Sequence, residues 1–131
     1  MRYLLDTSIF LWSLGAEQRL NKQATRLLSS SLSELYLSAA SSWEIAIKFA
    51  LGSLTLPKAP AEFIPHAMRL LAIRSLDITH LHSLAAGELP PHHRDPFDRM
   101  LIAQARAEEM VLLTADRTFQ AYDVETVFCR K

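Results

Sequence analysis

Short apolar runs of strand length alternate along this chain with longer stretches whose apolar residues recur at helical spacing. Arg2-Tyr3-Leu4-Leu5 predicts a buried strand, and Ile9-Phe10-Leu11-Trp12 with Leu14 predicts a helix after Asp6-Thr7-Ser8. Asn21 is placed to cap a second helix through Leu28, and Ser29 to Ser33 form a turn-prone join to the strand Leu35-Tyr36-Leu37. Ala39 to Leu51 predicts a helix apolar around much of its circumference, with Trp43, Ile45, Ile47 and Phe49, and Gly52 is positioned to end it. Pro57 and Pro60 bracket a loop, Ala61 to Leu71 predicts a helix, Arg74 to Ile78 a third strand, and Thr79 the cap of a helix to Leu89.

Pro90-Pro91-His92-His93 forces an extended lead into Asp95. Pro96 fits the first turn of a helix, where its missing N–H is not needed, so Asp95 becomes the N-cap and Asp98 the third helical residue. Val111 to Leu113 predicts a strand, Asp116 opens a short helix through Tyr122, and Glu125 to Phe128 makes a last edge strand. This alternation predicts an α/β fold: a single domain over residues 1–131, with a largely parallel sheet of four to five strands, helices on both faces and right-handed crossovers.

Composition narrows the classes. A chain of 131 residues, half of them hydrophobic, suffices for one full core. No apolar run is long enough to span a bilayer, and Met1 to Leu5 meets Asp6 too soon for a signal peptide, so the expectation is a soluble, cytoplasmic protein with no membrane partner. The single Cys129 can form no internal disulfide. Fourteen basic and fourteen acidic side chains cancel, so no overall positive field advertises a polyanion, although a local group of arginines beside bound cations could hold phosphates. Zinc-type Cys/His spacing, a Gly-rich phosphate loop and internal repeats are all lacking.

The candidate chemistry is acidic. At helical spacing Asp98, Ile102 and Ala105 share a face while Arg99 and Arg106 point elsewhere, so a carboxylate heads an apolar stripe. Capping accounts for such a charge standing alone, at about 0.3 to 1 kcal/mol. Leu112-Leu113-Thr114, however, delivers Asp116 just past a strand's carboxyl end, where open α/β sheets place their sites. Asp6, Glu44, Asp98 and Asp116 all fall at the end of a strand or in the opening turn of the helix after one.

Each acid also has a structural use. Asp6 or Ser8 can cap the first helix, Ser41-Ser42-Trp43-Glu44 can form a capping box, and Asp116 can cap the short helix after it. Glu44 with Lys48 one turn on has the spacing of a minor surface ion pair, about 0.3 to 0.5 kcal/mol. Taken together, four carboxylates on one rim would repel one another unless cations sat between them, and oxygen-only ligands suit magnesium or manganese better than zinc.

Four segments carry a family resemblance: Leu4-Leu5-Asp6-Thr7-Ser8, Ser38 to Lys48 with its Ser41-Ser42-Trp43-Glu44, Pro90 to Arg99, and Thr114-Ala115-Asp116. In this order they resemble the PIN-domain ribonucleases, and among them the VapC-like toxins of type II toxin–antitoxin pairs, over nearly the whole chain. The resemblance implies a metal-dependent endoribonuclease that hydrolyses RNA phosphodiesters with Mg2+ or Mn2+, leaving a 5′-phosphate and a 3′-hydroxyl. It implies a catalytic, metal-binding quartet of Asp6, Glu44, Asp98 and Asp116, supported by hydrogen bonds from Thr114 and from Thr7 or Ser8. In the family pattern the catalytic acid is the one followed by an Ile-Ala step, which selects Asp98 and leaves Asp95 as a helix cap or an outer hydrogen-bonding group. The implied partners are an RNA substrate and a small antitoxin that covers the acidic cleft and binds its own promoter DNA.

Other residues receive plainer readings. His92 and His93 read first as a solvated loop pair after two prolines, with contact to a phosphate or titration near neutrality as the alternative. Arg94, Arg99 and Arg117 flank the rim and are candidates for substrate phosphates, with surface solubility as the alternative. Trp12, Trp43 and Phe49 read as core, and the apolar helices at Ser8 to Leu14 and Ala39 to Leu51 also suit a homodimer interface. Two rival classes fit the same pattern. A phospho-accepting receiver-like module needs a lysine after its last catalytic strand, where Thr114-Ala115-Asp116 supplies an acid. A catalytically silent interaction domain would show no response to metal.

Overall fold

In the computed structural model, which describes residues 1–131, β1 (Arg2–Leu5) and β4 (Val111–Thr114) lie side by side in the middle of one sheet. They sit there because Leu4, Leu5, Leu112 and Leu113 leave no apolar surface to water, which requires cover on both faces. β2 (Glu34–Ser38) and β3 (Ile73–Leu76) extend the sheet on one side, and β5 (Thr126–Phe128) on the other. All pairings are parallel, in the order β3-β2-β1-β4-β5, so the expected parallel sheet forms with five strands. The chain winds outward from β1 through β3, then returns to β4, which makes the seam between β1 and β4 the switch point of the fold.

Side chains alternate across the central strands. Tyr3, Leu5, Val111 and Leu113 pack on one face with Ile9 and Phe10 of α1 (Thr7–Trp12), Ala24 of α2 (Lys22–Ser29), Ile45 of α3 (Ala39–Ala50) and Ile64 of α4 (Pro60–Leu70). Leu4 and Leu112 face the other way, onto Ala86 of α5 (His80–Glu88) and Leu101, Ile102 and Ala105 of α6 (Pro96–Glu108). No helix is long and apolar enough to cross a membrane.

Several sequence signals act as read. Asn21 Oδ1 accepts from the Ala24 N–H (2.9 Å), Thr79 Oγ1 from the His82 N–H (3.1 Å), and Asp95 Oδ1 from the Phe97 N–H (2.8 Å) with Pro96 in the first turn. Gly52 takes a positive φ of 77° just past α3.

Other expectations are corrected. Ser38 caps α3, its hydroxyl accepting from the Ala40 N–H (3.0 Å), so the box over Ser41 to Glu44 does not form and those residues lie inside the helix. Glu44 is therefore past the opening turn, and Asp98 sits on a helix that follows another helix, not a strand. β3 starts at Ile73, because Ala72 turns the chain left-handed (φ 54°) just after α4, and it stops at Leu76, short of the expected Ile78. Trp43 is 63% exposed, since α3 turns Ala40, Ser41, Glu44 and Ile45 inward and Trp43 away, where it meets Phe97 edge-on at 5.3 Å. Trp12 and Phe49 are half-buried. α1 buries Ile9 and Phe10 completely, and the large exposed apolar side chains of the helices are Trp43 on α3, Leu70 on α4 and Leu81 and Leu84 on α5.

Candidate metal centre

Asp6 follows β1 directly and uses both carboxylate oxygens. Oδ1 accepts from the Ile9 N–H (2.8 Å) and caps α1, while Oδ2 accepts from the Thr114 hydroxyl (2.5 Å) and the Ala115 N–H (3.4 Å). Thr114 Oγ1 in turn accepts from the Asp116 N–H (3.0 Å), so one hydroxyl joins the ends of the two central strands. Burial lifts the Asp6 carboxyl from 3.8 to about 6, against the lowering effect of these hydrogen bonds and with the Asp116 charge adding to it.

Glu44 reaches the same rim from α3. Thr7 Oγ1 donates to its Oε1 (2.7 Å) and lies 3.0 Å from Ser41 Oγ. Lys48 Nζ donates to Oε2 at 2.6 Å. Glu44 is buried while Lys48 is half open to water, so the pair compensates a buried charge and is not the surface ornament its spacing suggested. The hydrogen bond to Glu44 pushes the Lys48 ammonium upward.

The third group is Asp98, in the first turn of α6. Its carboxyl rises to about 7: burial contributes most, then the Asp95 charge, with His93 opposing and Asp6 and Glu44 adding. Asp116, past β4, accepts from the Thr118 N–H through Oδ1 (2.9 Å). Burial works to raise Asp116, but the Thr118 bonds and His93 outweigh it and its carboxyl falls below the usual value.

His93 is not a solvated loop residue. Its Nε2 lies 3.0 Å from Asp98 Oδ2 and 3.1 Å from Asp116 Oδ2, and its ring is largely covered. Nothing in the local sequence marks this, because the contact with Asp116 joins residues 23 apart on two elements. His92 is exposed, with its ring edge-on to Tyr122.

Asp6, Glu44, Asp95, Asp98 and Asp116 line one cavity of about 290 Å³, with Lys48, Arg130, Thr7 and Ser8 also on its wall. Five carboxyl groups share this wall with two basic side chains, so acidic groups are in excess. Candidate ligand atoms of His93, Asp98 and Asp116 lie within 4.8 Å of one another. Carboxylate oxygens gathered in one cavity, with two of the carboxyls lifted by burial and mutual charge, fit a hard divalent cation. A larger groove between α5 and α6, about 440 Å³, is lined by Ala85, Leu89, Ala103 and Arg106 and gathers no comparable chemistry.

The arginines divide. Arg99 donates to four backbone carbonyls, those of Ala86 (2.9 Å), Leu89 (2.9 Å), Pro90 (3.0 Å) and His93 (3.3 Å), so its guanidinium is spent on the fold and is corrected as a phosphate candidate. Arg117 lies 3.8 Å over the Phe128 ring and Arg94 is exposed. Sequence reasoning missed His93, Lys48 and Arg130 as residues of the site; only Lys48 carried a signal, its helical spacing from Glu44.

A parallel α/β sheet with a ring of carboxylates across its switch point defines a class of acidic-centred proteins. Within that class the chain belongs to the PIN domain family, which it matches over residues 3–125. It is similar to Ribonuclease VapC16 of Mycobacterium tuberculosis, 43% identical over 49 residues, a match spanning 37% of this chain and 35% of that relative. Among solved structures, it resembles VapBC2 of Rickettsia felis bound to a DNA fragment from its promoter (TM-score 0.73, 15% identity, 98% of this chain and 99% of that one). FitAB bound to IR36 DNA is similar too (TM-score 0.69, 22% identity, 96% and 94%).

Proposed function

We propose that this protein is a Mg2+- or Mn2+-dependent endoribonuclease, acting in the cytoplasm as the toxin of a type II pair and restrained by a small antitoxin that covers its acidic cleft. The observation that carries the reading is the placement of Asp6 and Asp98, raised to about 6 and about 7, in one cavity at the switch point. Membership of the PIN domain family and the partial match to a ribonuclease support RNA as substrate. A neighbour held on promoter DNA supports an assembly of toxin, antitoxin and DNA.

Asp6, Glu44, Asp98 and Asp116 are the residues that would hold the ion. Bound there, magnesium or manganese supplies Lewis acidity toward a phosphate oxygen and a nucleophilic water at neutral pH. The chain itself fixes the carboxylates: Thr114 holds Asp6, Thr7 holds Glu44, and the Thr118 N–H holds Asp116. Lys48, half exposed beside Glu44, is suited to contact a substrate phosphate.

The test is cleavage of an end-labelled single-stranded RNA. Parent protein should cut with magnesium or manganese and stop in excess chelator. Asp98→Asn should lose at least about a hundredfold, beyond the cost of losing an outer partner of a metal site. Full activity in chelator contradicts the proposal, and a calorimetric magnesium titration without heat would favour a silent interaction domain.

A further inference from the structure

The segment from Pro90 to Asp95 has no regular secondary structure, yet it is pinned at Pro90, His93 and Asp95. The His93 N–H donates to the Tyr122 hydroxyl (2.7 Å), which donates to the Pro90 carbonyl (2.8 Å). Arg99 binds the carbonyls of Pro90 and His93 and ties both to the end of α5. The imidazole is fixed separately: its Nδ1 accepts from the Asp95 N–H (3.2 Å), and its ring lies 5.7 Å from that of Phe119.

That acceptor role decides the tautomer. A ring nitrogen that accepts carries no proton, so the proton resides on Nε2, which then donates to Asp98 Oδ2 and Asp116 Oδ2. Distances alone would read His93, Asp98 and Asp116 as a metal triad. Ligation through Nε2 would move the proton to Nδ1 and set it against the Asp95 N–H, donor facing donor.

We propose that His93 is a positioning residue: its Nε2–H bridges Asp98 and Asp116 and holds the two carboxylates beside one another, without itself becoming a ligand of the ion they would hold. The inference rests on the metal-dependent reading above. Asp98 comes from α6 and Asp116 from the end of β4, so the imidazole supplies a link that neither element provides. Asp116 is then fixed through both oxygens, Oδ1 by the Thr118 N–H and Oδ2 by His93.

The experiment uses the full chain in two arms. With 15N-labelled histidine in metal-free protein, NMR should show His93 protonated on Nε2 and bare on Nδ1. With Mn2+ bound, pulsed EPR should show no imidazole nitrogen directly coordinated. In calorimetry, His93→Leu should weaken Mn2+ binding about tenfold or more, and His93→Gln, which keeps an N–H donor, should restore most of that loss. An Nδ1–H tautomer, a directly coordinated imidazole nitrogen, or a Leu variant that binds Mn2+ like the parent would overturn the inference. If the Leu variant does not fold, the two spectroscopic measurements on the parent decide. A parent that binds no Mn2+ contradicts the metal reading itself, whereas a parent that binds it beside an unaffected Leu variant contradicts only the positioning role.

Discussion

Asp6 shows why a capping reading and a site reading need not compete. One oxygen caps α1 while the other meets Thr114 across the switch point, so each reading describes half of the same carboxylate. Asp6, Asp98 and Asp116 could be read from the sequence because each follows a local marker, a strand end or a helix start, whereas Glu44 lies a turn deeper in α3 than its sequence reading put it. His93 could not, since its role depends on a contact between distant segments. The raised carboxyls have a consequence for stability. In metal-free buffer the folded chain keeps protons on Asp6 and Asp98 at a pH where the unfolded chain, near 3.8, has lost them. Folding therefore takes up protons, and the stability these groups contribute is full below about pH 4 and is lost as pH rises through about 6 and 7. Asp116 shifts the opposite way, and its contribution is lost only at lower pH, outside that window. Denaturant unfolding in chelator should show a decline between about pH 4 and 7 that saturating magnesium reduces. A pH-independent stability in chelator would count against the crowded acidic site.

At the level of the elements, α5, α6 and the segment between them behave as one unit closed by Arg99. Arg99→Ala should cost about 1.5 to 3 kcal/mol in a thermal melt, because a charged donor is withdrawn from several carbonyls. A melt unchanged from the parent, with only RNA affinity reduced, would return Arg99 to a phosphate role. In the centre of the sheet, Leu112→Ala should cost about 2 to 5 kcal/mol, since its side chain is wholly buried. The caps at Asn21, Thr79 and Asp95 could be read because each polar residue precedes a helical pattern without a competitor. The start of α3 offered serines at positions 38, 41 and 42, and composition alone does not choose among them. The early start of β3 at Ile73 was hidden because the left-handed turn before it normally advertises itself with glycine or asparagine, and here the residue is Ala72.

For the whole molecule, alternating strands and helices announced a parallel sheet, but not the order β3-β2-β1-β4-β5, which depends on where the chain turns back. That reversal brings Asp6 and Asp116 to one seam. Exposed Trp43 on α3 and Leu81 and Leu84 on α5 favour a homodimer, which light scattering at micromolar concentration should detect without antitoxin. A monomer there would count against it. The claim on which the rest depends is that the acidic ring is a metal centre and not a set of helix caps, and melting curves of parent and Asp98→Asn, each with chelator and with magnesium at low ionic strength, test it most directly. Above about pH 7, where the Asp98 carboxyl has given up its proton, the substitution removes a charge from a crowded site, so the variant should melt higher than the parent in chelator, by a few degrees or on the order of 1 kcal/mol. Magnesium at about a hundredfold excess over its Kd should stabilise the parent by about 2.7 kcal/mol and the variant by clearly less. A variant destabilised by the same few tenths of a kcal/mol in both buffers, as loss of a first-turn charge alone would give, would contradict the account.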